Sequence, residues 1–86
     1  MNLSSVLVEA PTKAEADARS NEEKLWSDFD FFYESGEPIT IKSPSGNTIT
    51  FGNNFRAGAW NLIINFKIVL TSDDAEKIIN TALEYY

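Results

Sequence analysis

Six large apolar residues in strict alternation constrain this chain most: Trp60, Leu62, Ile64, Phe66, Ile68 and Leu70. A period of two is that of a β-strand, whose side chains point to opposite faces in turn. One strand over Trp60–Thr71 is therefore expected, with Trp60 and Phe66 in the core. Its other face holds Asn61, Ile63, Asn65, Lys67, Val69 and Thr71. That mixed face calls for a partial cover over Ile63 and Val69, from residues 3–8 or from a second copy of the chain.

Two shorter alternations precede it. Ile39-Thr40-Ile41-Lys42 and Thr48-Ile49-Thr50-Phe51 flank Ser43-Pro44-Ser45-Gly46. Proline presets the second position of a type I turn, and Gly46 suits the left-handed bulge position after it. Such a turn sets a register. Ile41 is expected opposite Ile49 and Ile39 opposite Phe51, with Thr40/Thr50 and Lys42/Thr48 paired on the other face. Residues 52–58, bounded by Gly52 and Gly58, read as a loop.

On either side the apolar period becomes helical. Leu25, Trp26, Phe29, Phe32 and Tyr33 share one helix face spanning about 120°. Ser20-Asn21-Glu22-Glu23 has the form of a capping box and is expected to start this helix, with Gly36 stopping it. Asp28 and Asp30 flank the stripe, and Phe31 falls outside it. Upstream, Thr12-Lys13-Ala14-Glu15 is a second capping form. Residues 13–19 are alanine and charge, a stretch able to be helical but burying little. Residues 3–8 read as a short strand or an arm. A last helix is expected from Thr71/Ser72, with Asp73 and Asp74 in its first turn and Ala75, Ile78, Ile79, Ala82, Leu83 and Tyr86 inward.

The expected fold class is α+β in the order α-β-β-β-α. Two helices pack on one face of a three-stranded antiparallel meander. At 86 residues a single domain over 1–86 is expected, with 20–86 as its compact core and 1–19 as an arm or a short strand or helix.

Composition removes most chemistry. There is no cysteine and no histidine. Disulfides, thiolate nucleophiles and the usual zinc and haem ligands are therefore absent, as is the commonest general base. The paired acids Asp28/Asp30 and Asp73/Asp74 are explained by a helix flank and a helix start. No phosphate-binding glycine motif occurs. No catalytic residue, cofactor or metal is expected. Nothing resembles a secretory leader, and no run approaches the about 18 apolar residues of a membrane span. A soluble cytoplasmic protein with no membrane partner is expected, and Asn2-Leu3-Ser4 reads as a chance glycosylation sequon.

The net charge of −6 is unevenly placed. Residues 1–37 hold nine acids against Lys13, Arg19 and Lys24. Residues 38–72 hold Lys42, Arg56 and Lys67 and no acid. Residues 73–86 hold Asp73, Asp74, Glu76 and Glu84 against Lys77. A solubility device explains such charged helices; an acidic face for a basic partner is the functional alternative.

The element order resembles that of double-stranded-RNA-binding domains, in topology and not in motifs. Those domains grip phosphates with lysines where this chain has Asp73 and Asp74, which weighs against direct nucleic-acid binding. Protein binding remains. Its candidate residues are Asp28, Asp30, Phe31, Glu34, Phe55, Arg56, Asp73 and Asp74, since aromatic and arginine side chains anchor interfaces and acids steer association. In size, charge and want of catalytic groups the chain is similar in class to phage-encoded inhibitors and bacterial immunity proteins. The expected function is a non-catalytic acidic inhibitor or modulator of a basic, nucleic-acid-handling protein. The alternatives are a small oligomerising structural subunit, as a homodimer, and weak nucleic-acid binding by the strands.

Overall fold

The computed structural model describes residues 13–86, with side chains from Arg19 onward. The expected cap at Thr12 and the expected strand or arm at residues 3–8 lie outside the described residues. The elements run α1 (Lys13–Ser35), β1 (Ile39–Lys42), β2 (Thr48–Asn54), β3 (Ala59–Ile64), β4 (Lys67–Ser72) and α2 (Ala75–Leu83). The four strands form an antiparallel meander in the order β1-β2-β3-β4.

The first hairpin forms in the expected register, with Ile39 opposite Phe51 and Ile41 opposite Ile49. On the outer face Thr40 and Thr50 join their hydroxyls at 2.9 Å. Gly46 takes φ +96°, and its N–H donates to the Ser43 carbonyl at 3.0 Å, closing the turn. Ser43 is buried beneath this turn. The turn is tied to the end of α2: Asn47 Nδ2 and Ser45 Oγ donate to the Tyr85 carbonyl at 2.7 and 3.0 Å.

The expected third strand is two strands. The chain reverses at Asn65-Phe66, both with positive φ (50° and 69°), as in a type I′ hairpin turn. Asn65 tolerates that backbone and is held in it. Its Oδ1 accepts from Thr48 N at 2.9 Å, and its Nδ2 donates to Asn47 Oδ1 at 3.0 Å. The reversal changes which face each later residue takes. Ile64 pairs with Lys67, and Ile63 with Ile68. A register shift between Leu62 and Ile63 then leaves Val69 unpaired and returns Leu70 opposite Leu62. Phe66 is thus 81% exposed at the turn tip, not in the core, and Ile68 lies on the outer face beside Ile63.

The expected loop at 52–58 also contracts. β2 continues to Asn54 and pairs with Ala59–Asn61, so only Phe55–Gly58 turn. The fourth strand removes the α-β-β-β-α order and with it the likeness to RNA-binding domains.

Both helices cover one sheet face. Phe51 faces Leu62 and Ile49 faces Ile64, so these four share a side. They form one buried cluster with Leu25, Phe29 and Phe32 of α1 and Ile78, Ile79 and Ala82 of α2. α1 lies against β1 and β2, α2 against β3 and β4, and the helices touch each other. Phe29 is the hub. Its ring lies 5.5 Å from Phe32, 5.4 Å from Phe51 and 5.1 Å from Trp60, the last two edge to face. Such geometry contributes roughly 0.5–1.5 kcal/mol per pair beyond burial.

α1 does not start at Ser20. The alanine-rich stretch from Lys13 continues into it, so Ser20 and Glu23 are interior, exposed positions rather than a cap. α1 ends as expected, with Gly36 at φ +74° donating to the Phe32 carbonyl at 2.9 Å. Nor does α2 begin at Thr71/Ser72, which still belong to β4. Asp74 is its N-cap, and Oδ1 accepts from Glu76 N at 3.0 Å and Lys77 N at 3.4 Å. Asp74→Ala should therefore destabilise the domain by about 1 kcal/mol. In thermal unfolding that appears as a melting temperature lower by about 4–8 °C; an unchanged melt would show that the cap contributes nothing.

Candidate functional site

The eight candidate residues fall into two groups. On α1, successive residues advance by about 100°, which places Glu23, Asp30, Phe31 and Glu34 within roughly 100° of one another, opposite the buried stripe. All four are exposed, Phe31 by 65%. An exposed phenylalanine thus has three acids to one side of it on this face and the exposed Lys24, two turns earlier, to the other. Glu23 belongs to this face although its capping-box position had given it another role.

Asp28 does not belong there. It is half-buried beside the core stripe, and its Oδ2 is enclosed without a hydrogen-bond partner. Tyr33 also departs from expectation. It is 62% exposed at the edge of the stripe, with its ring 6.0 Å from Trp60.

The second group gathers where α1 ends, β2 turns into β3 and α2 begins. Asn53 Nδ2 donates to the Gly36 carbonyl at 3.2 Å, tying β2 to the end of α1. The turn at Phe55–Gly58 is built by Asn54, whose Oδ1 accepts from Ala57 N at 3.1 Å, and by Gly58 N donating to the Phe55 carbonyl at 3.3 Å. Phe55 at the start of this turn is 87% exposed, and Arg56 beside it is exposed too. Behind them lies a cavity of about 230 Å³, lined by Asn53, Asn54, Phe55, Ala59, Trp60 and Asp73 among others. The structure so brings Phe55 and Asp73 to one opening. Asp74 is engaged in capping α2.

The cations of the strand region do not form one patch. Register places Lys42 and Lys67 at the sheet end that carries the 43–47 and 65–66 turns, and Arg56 at the other end. Lys42 pairs with Thr48 on the outer face, whereas Lys67 pairs with the core-facing Ile64.

A third feature enlarges the outer face expected at Ile63 and Val69, because the β3–β4 turn adds Phe66 and Ile68 to it. Phe66, Ile68 and Val69 are 81%, 60% and 41% exposed, next to the half-buried Ile63 and along the edge strand β4. Among the described residues, no group of three or more acids, histidines or cysteines is placed to hold a metal ion. No described helix is long and apolar enough to cross a membrane. No protein-family model, curated protein or solved structure matches the chain.

Proposed function

We propose that this is a non-catalytic acidic binding protein that inhibits or modulates a basic, nucleic-acid-handling protein. One observation carries this reading: Phe31, 65% exposed on α1 beside Glu23, Asp30 and Glu34. Leaving a phenylalanine in water forgoes the roughly 1.5–3 kcal/mol that its burial would contribute. An aromatic anchor bordered by acids is the arrangement of an interface whose core gives affinity and whose acidic rim steers a basic partner. A groove that binds nucleic acid presents such a partner surface, being basic and accommodating flat rings.

Capture from a lysate of the expressing cells, on immobilised protein at low and high salt, tests this. The expected result is a basic nucleic-acid-binding protein, retained at low salt and lost at high salt. Phe31→Ala should weaken that retention. Retention indifferent to both salt and Phe31 would overturn the reading.

A second reading is self-association through the outer sheet face. It is favoured by Phe66, which is both exposed and held at φ +69°, and by Ile68 and Val69 beside it on an edge strand. Strain and exposure at one aromatic residue are both unfavourable in a lone domain. Ile68→Lys puts a charge on this face without touching the core. If the chain is a dimer, light scattering should show the parent at twice the mass of the variant. Equal masses would remove the second reading.

A further inference from the structure

We propose that the cavity between the β2–β3 turn and the start of α2 receives an arginine side chain of the basic partner. This rests on the partner reading above and gives it a specific anchor. The cavity, at about 230 Å³, is smaller than the roughly 300–1,000 Å³ of small-molecule sites, and a single side chain is its natural guest. The aromatic residues Trp60 and Phe55 line it, and Asp73 is the one charged residue lining it.

The hydrogen bonding around it decides the sign of the guest. The amide nitrogens that line it already donate inside the protein, Asn53 Nδ2 to the Gly36 carbonyl at 3.2 Å and Asn54 Nδ2 to Asn61 Oδ1 at 3.2 Å. The N–H groups at the start of α2, the usual seat for an anion, are taken by Asp74. The Asp73 carboxylate carries no such capping duty and offers acceptor oxygens. An anion would meet the like charge of Asp73 here. A cation meets a carboxylate and two aromatic residues.

A guanidinium satisfies this set better than an ammonium. It is flat, stacks on aromatic faces and donates in a fork that matches a carboxylate. Arg56 sits in the same turn but does not line the cavity, so the chain does not fill the site with its own arginine.

The test uses capped tripeptides Gly-Arg-Gly, Gly-Lys-Gly and Gly-citrulline-Gly, titrated against the full chain while the indole N–H signals of Trp60 and Trp26 are followed by NMR. The arginine peptide should shift Trp60 and leave Trp26 in place. The uncharged citrulline peptide, which keeps the shape, should bind at least ~5-fold more weakly, and the lysine peptide should fall between. Asp73→Asn should weaken the arginine peptide by a similar ~5-fold and bring it level with citrulline. Asp74 still caps α2 in that variant, so an unchanged melting temperature confirms its fold. An unmoved Trp60, equal binding of arginine and citrulline, or no effect of Asp73→Asn would each overturn the proposal. These titrations need no partner and leave α1 untouched. Their failure would remove the anchor alone, while salt-indifferent capture would remove the acidic-partner reading on which it rests.

Discussion

Phe51→Ala should leave the domain at the edge of folding, whereas Phe66→Gly should make it more stable. Phe51 is fully buried between α1 and the sheet, its ring 5.4 Å from Phe29 and 6.3 Å from Phe32. Removing a buried phenylalanine destabilises by about 3–5 kcal/mol, through lost burial and the cavity left behind. At roughly 0.05–0.15 kcal/mol per residue, a chain of 86 residues has only about 4–13 kcal/mol of stability. A melting temperature lower by some 15 °C or more, or no cooperative transition at all, is the expected result. Phe66 is the opposite case. It buries little and holds a positive φ, which is unfavourable by about 1–3 kcal/mol for a residue other than glycine. Glycine relieves that strain, part of which returns as chain entropy, for a net gain of up to about 1 kcal/mol. Thermal unfolding of both variants checks the pair. A loss at Phe66 as large as that at Phe51 would place Phe66 in the core and undo the β3–β4 hairpin.

That hairpin marks where the chain's own pattern stops being readable. Alternation from Trp60 to Leu70 looks continuous because two offsets mask each other. A two-residue turn at Asn65-Phe66 moves Ile68 to the outer face, and the extra residue Val69 brings Leu70 back to the inner one. Asn-Gly at that point would have announced the turn; Asn-Phe does not, and only Asn65 hints at it. The first hairpin was legible because its turn residues and its apolar pattern specify the same register. The helical stripes were legible for the same reason: Leu25, Phe29 and Phe32 repeat at helical spacing and are buried as a set. Ser20-Asn21-Glu22-Glu23 misled because a capping box works only where the preceding residues leave the helix, and here an alanine-rich run stays in it. Of the candidate surface, Phe31 could be found by helical phase alone. The cavity could not, since it depends on β2 reaching Asn54 and on α2 beginning at Ala75, one residue after its Asp74 cap.

Reversing the exposed acids of α1 should slow capture of a basic partner without unfolding the chain. Asp28 is unsuited to this test, because its enclosed Oδ2 would put a lysine partly into the core. Glu23, Asp30 and Glu34 are exposed and lie opposite the buried stripe. Each reversal to lysine adds two charges, so the three together take the net charge from −6 to 0. Exposed charges contribute little to stability, and melting should stay close to that of the parent. The field at long range changes far more. Steering by opposite charge raises association rates by roughly 10–10³-fold, and losing it should slow association by about 10-fold or more at low salt. As salt rises and the screening length falls to about 8 Å near physiological strength, the parent should lose its advantage and the two rates should converge. Phe31→Ala should behave differently. It removes a contact made only after docking, so the association rate should hold and the dissociation rate should rise at every salt. Stopped-flow association at low and high salt separates the two. Equal association rates for the triple variant and the parent at both salts would mean that the acids of α1 serve solubility alone, and Phe31 would then need a partner of another kind.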